Sequence, residues 1–179
     1  MDPSRQRARE SGGEVLSDEE LLLSLLNSAP MIEGRPTDGL EGAAGRDLAR
    51  TWGGTGSASE LVRLRRARQA LQTMVREDEG AAVGELTDIL DEAVRTPRMT
   101  PNGVAWDLRV PDDHRLAVEA VLAWSTVITE FPDRLRACAN EECTRFLVDH
   151  SRPGTAKWCS MAVCGNRMKA RTHARRMKS

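Results

Sequence analysis

The chain has 179 residues, 40% of them apolar, with 26 Lys+Arg against 27 Asp+Glu and a net charge of −1. That is room for one helical domain of about 120 residues plus a small metal-dependent module, and no apolar run approaches the roughly 18 residues of a membrane-spanning helix. The near-neutral total hides an asymmetry: residues 134–179 hold 11 of the cations and 3 of the acids, so that segment carries +8 and the remainder −9. An acidic body with a basic end is the charge layout of a chain that turns one end toward nucleic acid.

In chain order, residues 1–14 are polar, glycine-bearing and unpatterned, and read as a disordered lead. Met1 runs into Asp-Pro-Ser-Arg-Gln-Arg-Ala-Arg with no apolar export region, which predicts a cytoplasmic chain with reduced thiols. A capping box at Ser17-x-x-Glu20 opens a first helix rich in leucine (Leu21, Leu22, Leu23, Leu25, Leu26), so that more than one of its sides is buried. A Gly/Pro loop (Pro30 to Gly39) precedes a helix over Leu40–Trp52, stopped by Gly53-Gly54. A second capping box, Ser57-x-x-Glu60, begins the longest amphipathic stretch, with Leu61, Leu64, Ala67, Leu71, Met74 and Val75 at helical spacing.

Val83, Leu86, Leu90, Ala93 and Val94 predict the next helix, ending before Pro97. The period then changes. Thr100-Pro101-Asn102-Gly103 is a turn signal, and Val104, Trp106, Leu108 and Val110 alternate with polar or small residues, which predicts a short hairpin. Leu116, Ala117, Ala120, Val121, Trp124, Val127 and Ile128 restore helical spacing up to Glu130. The fold class that follows is mainly α: a helical domain over residues 15–132 with a small β-hairpin, then a small α+β module over 133–179 made of two short strands and a C-terminal helix.

All four cysteines fall in that last module, as Cys138-x4-Cys143 and Cys159-x4-Cys164. Disulfides are favoured in exported frameworks, and common iron–sulfur spacings group three thiols with a distant fourth. Two symmetric pairs fit a tetrathiolate zinc site better, with one Zn²⁺ held by four soft donors and no open position for water, hence structural. Leu135 and Phe146-Leu147-Val148 flank the first pair as strands, and so small a domain lacks the core to fold without metal. Cys159 and Ser160 then open a helix, with Ser160 as its cap and Trp158 as an apolar plug beside the site.

The residues around these cysteines resemble the CGNR zinc-finger family, named for the run that here is Cys164-Gly165-Asn166-Arg167. Trp158 through Arg171, Leu135-Arg136-Ala137-Cys138, and Cys143 through Ser151 carry the resemblance, over about 40 residues. It implies a helical N-terminal domain of the stress-induced transcription regulator type followed by a zinc domain that binds DNA. The N-terminal half carries only short similar patterns, Leu26-Asn27-Ser28 and Arg50-Thr51-Trp52. The loop before Trp158 departs from the family, since Arg152 and Lys157 are its only cations.

That shifts the weight of nucleic-acid contact to the last helix. Arg167, Lys169, Arg171, Arg175, Arg176 and Lys178 lie there with no acid between Gly165 and Ser179. Arg167, Arg171 and Arg175 recur every four residues as a stripe that could lie on phosphates, against the bland reading of a solvated basic terminus. Asn166 is read as a backbone cap rather than a base contact, and Asp149 as pairing with Arg167 or Arg145 inside the module. Three dispersed histidines, no phosphate loop and no nucleophile signature give little support for an enzyme, and His114 is placed at the surface. The sequence therefore predicts a zinc-dependent DNA-binding transcriptional regulator whose helical domain senses a signal or binds a partner. Its partners would be double-stranded DNA and the transcription machinery, and homodimerisation is compatible with it. The alternatives are a protein–protein adaptor of the transcription machinery and a thiol redox sensor.

Overall fold

The computed structural model describes residues 17–32, 34–76 and 80–177. The lead expected over residues 1–14 lies outside them. The described residues are mainly α-helical with three two-stranded antiparallel ribbons. None of their helices is long and apolar enough to cross a membrane. The chain divides into two compact units, one taking the chain up to Gly39 and again from Ser125, the other Leu40–Trp124.

The second unit contains α2 (Gly42–Thr51), α3 (Ala58–Arg76), α4 (Gly80–Leu90), the ribbon β3 (Val94–Thr100) and β4 (Gly103–Arg109), and the first part of α5 (Asp112–Glu130). Leu61, Leu64, Ala67 and Leu71 are buried along α3. Their three- and four-residue spacing puts them on one stripe. α3 packs on α4, and Arg66 joins the two by ion pairs to Glu85 at 2.5 Å and Asp88 at 2.9 Å. The expected capping box is half formed. Ser57 Oγ accepts from Glu60 N–H at 3.1 Å, but the Glu60 carboxylate turns back to accept from Gly56 N–H and Thr55 Oγ1 and is fully buried.

Two expectations are corrected here. Ala93 and Val94 are not helical: α4 ends at Leu90 and Val94 starts β3, paired with Arg109. Pro97 is accommodated inside the strand opposite Trp106, as a two-stranded ribbon allows because each strand keeps an unpaired edge. His114 is half-buried rather than superficial, its side chain only 14% exposed, with Nδ1 3.2 Å from Glu92.

The first unit gathers segments from both ends of the described chain. Residues 17–26 form α1, in which Leu21, Leu22, Leu25 and Leu26 are buried. Ser17 is already helical, so it does not stand ahead of the helix as the cap expected from sequence. A tight ribbon, β1 (Met31–Ile32) with β2 (Arg35–Pro36), follows. The end of α5 leads through Asp133, which takes a left-handed φ of 59°, into β5 (Leu135–Ala137) and β6 (Phe146–Val148), paired with Leu135 opposite Val148. All three residues of β6 are buried. A π-helical turn, Met161–Gly165, runs into α6 (Asn166–Arg176).

Candidate metal centre and basic helix

β5 delivers Cys138 and the turn after it delivers Cys143. Cys138 N–H donates to Arg145 O at 2.8 Å and Cys143 N–H to Asn140 O at 2.7 Å, so the x4 segment closes on itself and aims both thiols the same way. The second pair is set by the π-helical turn. Ser160 Oγ accepts from Val163 N–H, as a cap does, and Gly165 N–H donates to Ser160 O at 3.0 Å. This wider i→i+5 turn brings Cys159 Sγ to 3.7 Å from Cys164 Sγ.

The four Sγ atoms lie within 4.8 Å of one another, and Cys143 and Cys159, from different pairs, are also 3.7 Å apart. A disulfide needs about 2.0 Å. Four sulfurs at about 2.3 Å from a tetrahedral zinc are separated by about 3.8 Å, so the observed spacing fits one ion among them. The donor chemistry agrees. Burial and neighbouring thiols push Cys159 well above the ordinary thiol range, and burial raises Cys143. Burial also opposes ionisation of Cys164, but hydrogen bonds from Asn140 and from the other thiols outweigh it and lower that group. Four thiols this close cannot all ionise alone, and a divalent cation is the charge that lets them. Zn²⁺ there would supply a closed, structural crosslink and no catalytic position.

Two side chains that sequence reasoning did not assign to the site support it. Asn140, 1% exposed, donates from Nδ2 to Cys164 Sγ at 3.6 Å and accepts from Glu142 N–H at Oδ1. Its position between paired cysteines, where Asn favours turns, was the available signal. Asn27, at the end of α1, accepts from Phe146 N–H at 2.7 Å and donates to Phe146 O at 3.2 Å. It satisfies both backbone groups of a β6 residue, as a neighbouring strand would. Thr144 Oγ1, donating to Ala29 O at 3.0 Å and accepting from Met31 N–H at 3.2 Å, adds to the same seam. His150 Nε2 lies 2.9 Å from both Glu19 oxygens with its ring edge-on to Phe131.

Asp149 does not pair with Arg167 or Arg145. Its buried carboxylate accepts from Ser151 N–H at 2.8 Å and Ala156 N–H at 2.9 Å, with Arg134 at 3.8 Å and Arg136 at 3.9 Å as its charged neighbours. Hydrogen bonding with Ser151 is the main cause that holds its pKa below the ordinary Asp value. Arg134 precedes β5 and Arg136 lies within it, and β5 lies beside β6, which ends one residue before Asp149. α6 has no place in that arrangement. Asp149 thereby ties down the loop that carries Arg152 and Lys157, whose side chains are exposed.

Arg167, Lys169, Arg171, Arg175 and Arg176 are all exposed on α6, and Lys178 lies outside the described residues. The arginine stripe is not an unengaged cation row. Glu142, inside the first cysteine pair, accepts from Arg171 at 2.5 Å and lies 4.0 Å from Arg167. Arg171's hydrogen bond and charge hold Glu142 below its ordinary range. Asn166 Nδ2 donates to Ala162 O at 3.4 Å, a backbone contact. Trp158 is half-buried and lines a groove together with Met168.

Residues 134–177 match the family model of the CGNR zinc finger. This segment is a CGNR zinc finger. Its four-cysteine cluster is the metal site of such a finger and fits one structural Zn²⁺. No curated protein matches the chain.

Proposed function

We propose that the protein is a zinc-dependent, DNA-binding transcriptional regulator acting in the cytoplasm, with no catalytic activity of its own. The observation that carries this reading is the attachment of α6 to the metal centre. The helix starts at Asn166, two residues after the ligand Cys164, and presents five exposed cations with no acid among residues 166–176. A rigid crosslink at the root of a basic helix holds its charges in fixed register, which is what a helix needs in order to sit on phosphates. The +8 charge of residues 134–179 supports the same partner. In this reading the helical unit is the sensing or interacting part.

The test is binding of zinc-loaded protein to duplex fragments over a salt series, followed by selection of fragments from genomic DNA. A log–log salt slope of several units with enrichment of related sequences is the expected result. Binding that ignores salt, or no binding to duplex at micromolar protein, sinks the proposal.

The adaptor reading has one observation in its favour. The face of the β3–β4 ribbon holding Met99, Val104 and Trp106 is open to solvent, with Met99 77% and Trp106 60% exposed. Apolar side chains so placed suit a protein partner, and the two roles can reside in different parts of one regulator.

A further inference from the structure

α6 is cationic on two opposite sides, and its surroundings distinguish them. At 100° per residue, Arg167 and Arg171 share one side, while Lys169, His173 and Arg176 share the other. On the first side both arginines face Glu142. The surface depression beside them is lined by Glu142, by Arg145 and Arg167, and by the cysteines Cys143, Cys159 and Cys164 among others. A tetrathiolate zinc centre carries a net charge of −2, so a phosphate approaching there meets a carboxylate and an anionic metal site. On the second side an open groove of about 340 Å³ is lined by Trp158, Met168, Lys169, His173 and Arg176 among others, with no acidic residue. Neither Lys169 nor Arg176 forms an ion pair among the described residues.

We infer that duplex DNA meets α6 across the Trp158 groove, with phosphates of one strand on Lys169 and Arg176 and the intervening deoxyribose against Trp158 and Met168, while Arg167 and Arg171 serve the finger itself. Lys169 and Arg176 stand seven positions apart, about 10 Å along the helix, which lets their long side chains reach neighbouring phosphates of one strand. Arg171 and Arg167 act as a clamp: they hold Glu142, and with it the first cysteine turn, against the root of the helix. This inference rests on the DNA-binding reading and specifies which surface performs it.

The experiment measures the salt slope of duplex binding for full-length, zinc-loaded protein and for three variants, each checked for one zinc per chain and unchanged helicity. Lys169→Gln with Arg176→Gln removes two phosphate contacts and lowers the slope by about 1.8, so that a fourfold rise in salt weakens binding about twelvefold less than in the parent. Glu142→Gln leaves the slope unchanged. Arg167→Gln with Arg171→Gln changes it by less than about 0.5. A slope carried by Arg167 and Arg171, or one that rises by about 0.9 or more in Glu142→Gln as those arginines are released, overturns the assignment of the face while leaving DNA binding intact. Failure of the parent protein to bind duplex DNA at any salt overturns the DNA-binding reading instead, and this inference with it.

Discussion

Replacing Asn27 tests whether the CGNR finger stands on its own or is completed by α1. Its side-chain amide satisfies both the N–H and the C=O of Phe146, at 2.7 and 3.2 Å, and Phe146 is 2% exposed. Asn27→Ala leaves both groups without that partner. An unsatisfied buried group costs about 1–3 kcal/mol, and partial access of water to this seam favours the low end, so we expect a loss of about 2 kcal/mol. Asn27→Asp can still accept from Phe146 N–H but cannot donate to the carbonyl, so it should lose about half as much. The assay is urea denaturation of zinc-loaded protein followed by release of zinc to a chromogenic chelator, which reports the finger's unit and not the rest of the chain. Release midpoints for Asn27→Ala indistinguishable from the parent, or equal losses for Ala and Asp, would refute the reasoning.

Removing a ligand, as in Cys143→Ser, should abolish stoichiometric zinc and the ordered structure of the finger while the helices of residues 40–124 persist; full zinc occupancy by metal analysis would contradict the tetrathiolate site. Because burial raises the Cys143 and Cys159 thiols, the metal-free site holds protons at pH 7 that zinc must displace. Apparent affinity should therefore rise with pH, about tenfold per unit for each proton released, and fall on acidification, with proton release measured directly by calorimetry in buffers of different ionisation enthalpy. Gly154 has φ +65°, and a Cβ there would stand 2.6 Å from Arg134 Nη1, which donates to Ser151 O at 2.8 Å. Gly154→Ala should cost about 1–2 kcal/mol through left-handed strain alone and lower the denaturation midpoint of the finger's unit, whereas an unchanged midpoint would show that the loop relaxes without penalty.

The parts legible in the sequence were those fixed by local chemistry. The spacing of four cysteines, the turn Thr100-Pro101-Asn102-Gly103 and the leucine period of α3 each specify their structure within a few residues, and each is found where it was read. Val94 was misread because its helical spacing from Leu90 is also compatible with strand entry, and the cross-strand partner that decides, Arg109, lies fifteen residues ahead. Asp149 was misassigned for a related reason. Its charged neighbours were sought on α6 and near Cys143, whereas β-pairing places Arg134 and Arg136 beside it. The seam of Asn27 with Phe146 spans 119 residues, and no local pattern encodes a pairing at that range, although the short Leu26-Asn27-Ser28 pattern marked the right place.

Metal and seam act on the same ribbon from opposite sides. Zinc held by Cys138, the residue after β5, and Cys143, three residues before β6, would close the hairpin at its turn. Asn27 and Thr144 fasten the outer backbone of β6 and its approach to the α1 end. A two-stranded ribbon in water ordinarily buries one face and keeps two open edges, and alone it is marginally stable. Here Phe146, Leu147 and Val148 are all buried, which a ribbon with one covered face cannot achieve because successive side chains alternate sides. Asn27 and Thr144 bind this ribbon to a segment more than 100 residues earlier in the chain. The crosslink at the root of α6 is in consequence only as rigid as that seam, and any signal that loosens α1 would reach the basic helix through Asn27 and β6.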